Sequence, residues 1–143
     1  MNFLHAHLDM GLRAAAVVQL AVAILNLFLT RIMKWEPDLQ RMPLLIRQVF
    51  HIHCYFISLT LAIFGLITWR FADEMAMGAN PIGVWLAAGI GIFWLVRSVM
   101  QWSHYSPEHW RGDPGRTLIH FLLFFGYGLL AVGYFAAAFW RAT

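Results

Sequence analysis

The sequence predicts an all-α integral membrane protein, a bundle of four transmembrane helices within one transmembrane domain spanning residues 1–143. Composition is the first reason: 61% of the residues are hydrophobic and 12% charged, against about 45–50% and 25% in soluble domains. Segmentation is the second, because the apolar residues collect into four long runs. Punctuation is the third. All five prolines, Pro37, Pro43, Pro81, Pro107 and Pro114, fall between those runs, where they interrupt no hydrogen-bonded helix in lipid. A mean hydropathy of +0.65 excludes an ordinary cytosolic domain, a disordered chain and a nucleic-acid binder. The net charge of +3 comes without a run of like charges that would grip a polyanion. The single cysteine, Cys54, leaves no intrachain disulfide and no cysteine-rich metal knuckle.

Taken in order, the spans are Met10–Ile32, Leu44–Trp69, Ile82–Ser103 and Thr117–Trp140, each about 22–26 residues and enough to cross a ~30 Å hydrocarbon core. The first could instead be a cleaved signal peptide. Its leading segment Met1–Leu12 is rich in histidine and lacks lysine, Gln19 and Asn26 interrupt the apolar run, and no small-x-small cleavage site follows; it is kept as a span. Six of the seven tryptophans sit near span ends, Trp35, Trp102 and Trp110 at one side and Trp69, Trp85 and Trp140 at the other, as amphipathic indoles prefer. Trp94 alone lies deep.

Basic residues set the expected orientation. Arg31, Lys34, Arg41, Arg47, Arg97, Arg111 and Arg116 lie towards one side, and Arg13, Arg70 and Arg141 towards the other. The richer side is cytoplasmic by the positive-inside rule, with both termini outside, in a bacterial inner membrane. Spans two and four also open and close alike. Arg47 and His51 match Arg116 and His120, 69 residues on, and Trp69-Arg70 matches Trp140-Arg141. That pattern predicts a tandem helical-hairpin repeat, with chance likeness between apolar segments as the alternative.

Helical spacing then sorts the polar residues onto faces. Arg47, His51, Cys54, Ser58 and Gly65 share a face of span two, with His53 turned about 200° away among Phe50, Ile57 and Phe64. Arg116, His120, Tyr127, Ala131, Tyr134 and Ala138 share a face of span four. Gly83, Ala87 and Gly91 form a small-residue ladder in span three. Counted from the cytoplasmic ends, Asn26, His51, Arg97 and His120 fall ~6–10 Å inside, with Arg47, Gln101, His104 and Arg116 nearer the headgroups. Ionisable side chains within spans are costly, so a functional site is the default hypothesis.

Four readings of this layer stay open. His51 and His120 can ligate a haem b iron axially, with Arg47 and Arg116 at the propionates and a quinone as redox partner. Packing glue is the plain alternative, the histidines bonding to Asn26 or Gln101 while the arginines snorkel to the headgroups. A non-haem metal would use His51, His120, His104 and His109, but it lacks carboxylates and faces three guanidiniums. Those guanidiniums suit an anionic lipid or substrate instead. The expected partners are the bilayer itself and either other membrane subunits or further copies of this chain, since a non-catalytic accessory subunit would pack its apolar, tryptophan-rich faces on partner helices. Asp38→Cys and Gly112→Cys, in a Cys54→Ser background, should resist an impermeant thiol reagent in intact cells. Labelling at both, with none at Ala79→Cys, would reverse the orientation.

Overall fold

The structure, a computed structural model, describes residues 3–78 and 80–140, with the side chains of residues 3–6 and 109 excepted. The side chains of His5 and His109 and the whole of Arg141 therefore lie outside what is described, and Arg141 takes with it the closing pair of the expected repeat. The chain is all-α, and four of its helices are long and apolar enough to cross a membrane. Among the described residues six α-helices follow in order: α1 (Phe3–Leu27), α2 (Leu29–Ile32), α3 (Glu36–Arg41), α4 (Leu44–Met77), α5 (Pro81–Ser103) and α6 (Pro114–Phe139), with a 3-10 turn at Pro107–His109.

The boundaries differ from the sequence reading where local chemistry overrides hydropathy. Span one does not run unbroken to Ile32. Phe28 leaves helical geometry between α1 and α2, and the expected loop beyond it folds into α3, with Pro37 in its first turn, the acids Glu36 and Asp38 beside it and Arg41 at its end, the placement that a helix dipole favours. The second long helix runs through Arg70 to Met77, with Phe71 in non-helical geometry. A basic residue marks where lipid ends, and it does not by itself end a helix. The fourth begins at Pro114, because the Asp113 side chain accepts from the Arg116 backbone N–H at 3.0 Å and proline presets the first helical φ. Asn80 caps α5 likewise, accepting from Ile82 N–H at 2.9 Å.

The chain forms two compact units. One is Arg13–Arg70, and the other joins Met1–Leu12 to Phe71–Thr143. In the Arg13–Arg70 unit, Ser58, Leu61, Gly65 and Thr68 make the buried stripe of α4, spaced three and four apart as a helix–helix seam requires. Gly65 lets α1 in close: a Cβ there would stand 2.8 Å from Leu20 Cγ and 3.1 Å from the Ala16 carbonyl oxygen. In the other unit α5 packs on α6. The ladder of Gly83, Ala87 and Gly91 is buried there, and a Cβ at Gly91 would meet the Phe135 ring at 3.0 Å. Trp94, 1% exposed, stacks on Tyr127 with ring centroids 5.2 Å apart. The buried face of α6 carries His120, Tyr127, Ala131, Tyr134, Ala137 and Ala138, nearly the stripe read from spacing. Outward, Leu45, Trp85 and Leu129 are among many large apolar side chains left exposed, the surface a bilayer covers.

Gly65→Ala should therefore destabilise the protein in neutral detergent, by about 1–3 kcal/mol for an overpacked contact. Gly126→Ala, where a Cβ meets nothing within 4 Å, should be neutral or stabilising by a few tenths of a kcal/mol through helix propensity. Melting temperatures of the two variants check the difference.

Candidate functional site

The polar residues of the expected layer resolve into two clusters, one in each unit. In the Arg13–Arg70 unit, Asn26 Nδ2 donates to the Cys54 carbonyl and to Ser58 Oγ, both at 2.9 Å, and Ser58 Oγ donates to the same carbonyl at 2.9 Å. This is a clamp between α1 and α4, the glue role considered for Asn26, although its partner is not His51. Arg47 and His51 are half-buried and His53 is exposed, in the order that the face assignment expects. His53 Nδ1 lies 2.9 Å from the Val49 carbonyl of its own helix.

The cluster in the other unit is built on α5, α6 and the loop between them. Arg97 and Gln101, one turn apart on α5, are joined by a hydrogen bond from Arg97 Nη1 to Gln101 Oε1 at 3.0 Å. Gln101 Nε2 lies 3.3 Å from His120 Nδ1. The Arg97 guanidinium also sits over the Tyr127 ring, 4.6 Å from its centroid, and 5.9 Å from that of Tyr105. No salt bridge joins it to a carboxylate among the described residues. From the loop, Trp110 lies flat on His120, centroids 4.5 Å apart and planes 10° from parallel. A turn holds it there: Arg111 N–H donates to the Pro107 carbonyl at 2.8 Å, Gly112 takes φ +89°, and Thr117 Oγ1 donates to the Trp110 carbonyl at 2.7 Å.

These bonds run in one direction. A guanidinium only donates, so it fixes the Gln101 amide with its oxygen towards Arg97 and its NH2 towards His120. Nδ1 of His120 must then accept, and the ring proton sits on Nε2. His120 is only 5% exposed, and its Nε2 is buried without a hydrogen-bond partner, as is Nε1 of the stacked Trp110. An indole nitrogen is also a donor only. Two dry N–H groups on stacked rings thus go unanswered among the described residues, where a buried unsatisfied donor costs about 1–3 kcal/mol. Such groups call for a water, an ion or a ligand.

Other expected members stand apart. His104 is exposed and its Nδ1 lies 2.8 Å from Ser103 Oγ, because α5 ends at Ser103 and His104 takes the cap position. Arg116 is exposed at the start of α6, 3.4 Å from the Asp113 carboxylate. His51 and Arg47 belong to one unit, His120 and Arg116 to the other. Among the described residues no three His, Cys, Asp or Glu side chains gather as a metal site. Trp110 was legible only as an interfacial indole: it lies in a loop, where periodicity carries no signal. Comparison with known proteins adds nothing here, since no family model, curated protein or solved structure is significantly similar to this chain.

Nitrogen-15 spectra of the His120 ring should show the proton on Nε2 alone. Arg97→Leu should release the Gln101 amide to turn over and mix the two tautomers, while Arg111→Gln should not; an Nδ1 proton in the unmodified protein would break the Arg97–Gln101–His120 order.

Proposed function

We propose that this polytopic membrane protein binds a membrane-accessible ligand by donating a hydrogen bond from His120 Nε2–H to one of the ligand's oxygens. The buried, unpartnered Nε2–H carries the reading, because Gln101 occupies the other ring nitrogen and leaves His120 one hydrogen to give. Trp110 Nε1–H, on the ring stacked against it, supplies the same chemistry. Carbonyl, carboxylate and phosphate oxygens answer such donors. A metal cation does not, since both nitrogens present hydrogens and the charges linked to the two rings are those of Arg97 and Arg111. By the positive-inside count this end of the unit faces the cytoplasm. An accessory subunit that binds nothing would leave the two donors unexplained.

Haem b on His51 and His120, with Arg47 and Arg116 at its propionates, is the second reading. It stands on the matched Arg-x-x-x-His pairs of the sequence, Arg47–His51 and Arg116–His120. It asks more of His120. Iron takes the Nε2 lone pair, so the ring proton would have to move to Nδ1 and the Gln101 amide turn over, breaking its bond with Arg97. Redox work with a quinone suits either reading, a quinone carbonyl being an acceptor.

Titration of the full chain in nanodiscs of neutral lipid with acetate, inorganic phosphate and a short-chain quinone tests the proposal. At least one should move the His120 and Trp110 ring N–H resonances saturably, and the Trp110 response should weaken about tenfold or more in His120→Phe, the loss of one charge-assisted or buried hydrogen bond. If none does, the donor site is refuted. A Soret band that vanishes in both His51→Ala and His120→Ala would replace it by the haem reading.

A further inference from the structure

Beside the Trp110–His120 stack a groove of about 510 Å³ opens along the first turns of α6, lined by Gly112, Asp113, Pro114, Thr117, Leu118 and Phe121. Two of its lining residues touch the donor pair. Thr117 is bonded to the Trp110 carbonyl, and Phe121 stands edge-on to Trp110 at 5.8 Å and to His120 at 5.6 Å between ring centroids. Pro114, Leu118 and Phe121 make its walls apolar, and Phe125 extends them, stacked on Phe121 at 6.2 Å.

Charge beside the Trp110 ring is one-sided. The Arg111 guanidinium lies 5.5 Å from the Trp110 ring centroid and has no carboxylate partner among the described residues. The one acid of the groove, Asp113, is already engaged, one oxygen capping α6 and the other 3.4 Å from Arg116 Nε. A cation, two dry N–H donors and an adjoining apolar trough together describe an amphipath: oxygens that carry negative charge at one end, hydrocarbon behind.

We infer that the ligand of this site is an anionic single-chain lipid, its carboxylate or phosphate oxygens on His120, Trp110 and Arg111 and its acyl chain along Pro114, Leu118 and Phe121. The inference rests on His120 acting as a donor to a ligand and adds the class of that ligand. Charge-assisted bonds to an oxyanion are the strong ones, and each methylene that leaves water for the groove multiplies affinity severalfold.

Decanoate, acetate and decanol, each titrated into the full chain in neutral nanodiscs, separate the parts. Decanoate should saturate the Trp110 and His120 N–H shifts at concentrations about 100-fold below acetate, as burial of a few methylenes requires, and decanol should leave the His120 shift unchanged. Arg111→Gln should raise the decanoate Kd about tenfold. Leu118→Trp, at an exposed position, should fill the trough and bring decanoate down to the affinity of acetate, with acetate itself unaffected. Equal affinities for the two anions in the unmodified protein, or a Leu118→Trp variant that still prefers decanoate, would overturn the lipid assignment and leave the donor site standing. Silence from both anions would remove both.

Discussion

Inside hydrocarbon a polar group has no water to turn to, and this single constraint orders the molecule. The backbone meets it by forming helices. The side chains meet it by turning to helix carbonyls and to one another: Gln19 to the Ala15 carbonyl, Ser58 to that of Cys54, Ser98 to that of Phe124. Even His53, on an exposed face, lies against the Val49 carbonyl one turn back. With so much satisfied locally, the indole N–H of Trp110 and the imidazole N–H of His120, unanswered among the described residues, stand out by contrast.

Arg97 shows how one fixed donor organises a site. Cationic and half-buried on α5, it lies over the negative face of Tyr127, an attraction that strengthens as water is excluded, and its hydrogen bond orients Gln101. Gln101, buried, passes that orientation to His120. Neutral hydrogen bonds between membrane helices average only about 0.6 kcal/mol, so the value of the chain lies in the direction it imposes on each proton.

Much of this was readable in advance, and the reasons are physical. Burial on α6 follows a helical period, so His120, Tyr127, Ala131 and Tyr134 declared themselves by spacing. Lipid exposure forces long apolar runs, so the four spans did too. Helix ends were less visible, since Asp113, Asn80 and the bend at Phe71 act through local backbone geometry that hydropathy averages away. The site was half legible. Arg97 and His120 were placed at one depth with Asn26 and His51, and Gln101 one layer nearer the headgroups, but depth does not tell which neighbours touch. Asn26 satisfies itself on Cys54 and Ser58, Arg116 turns to Asp113, and Trp110 arrives from a loop.

The division of the chain has a consequence for its synthesis. Residues Met1–Leu12 share a unit with everything from Phe71 onward, while Arg13–Arg70 forms the other. Met1–Leu12 is translated before Arg13–Arg70, yet the remainder of its unit emerges only after that intervening hairpin has been made. The Arg13–Arg70 pair can assemble while translation continues, and the leading segment must wait for its companions. Of these two units, the one that closes later therefore contains a segment made before the other, and the order of assembly is not the order of the sequence.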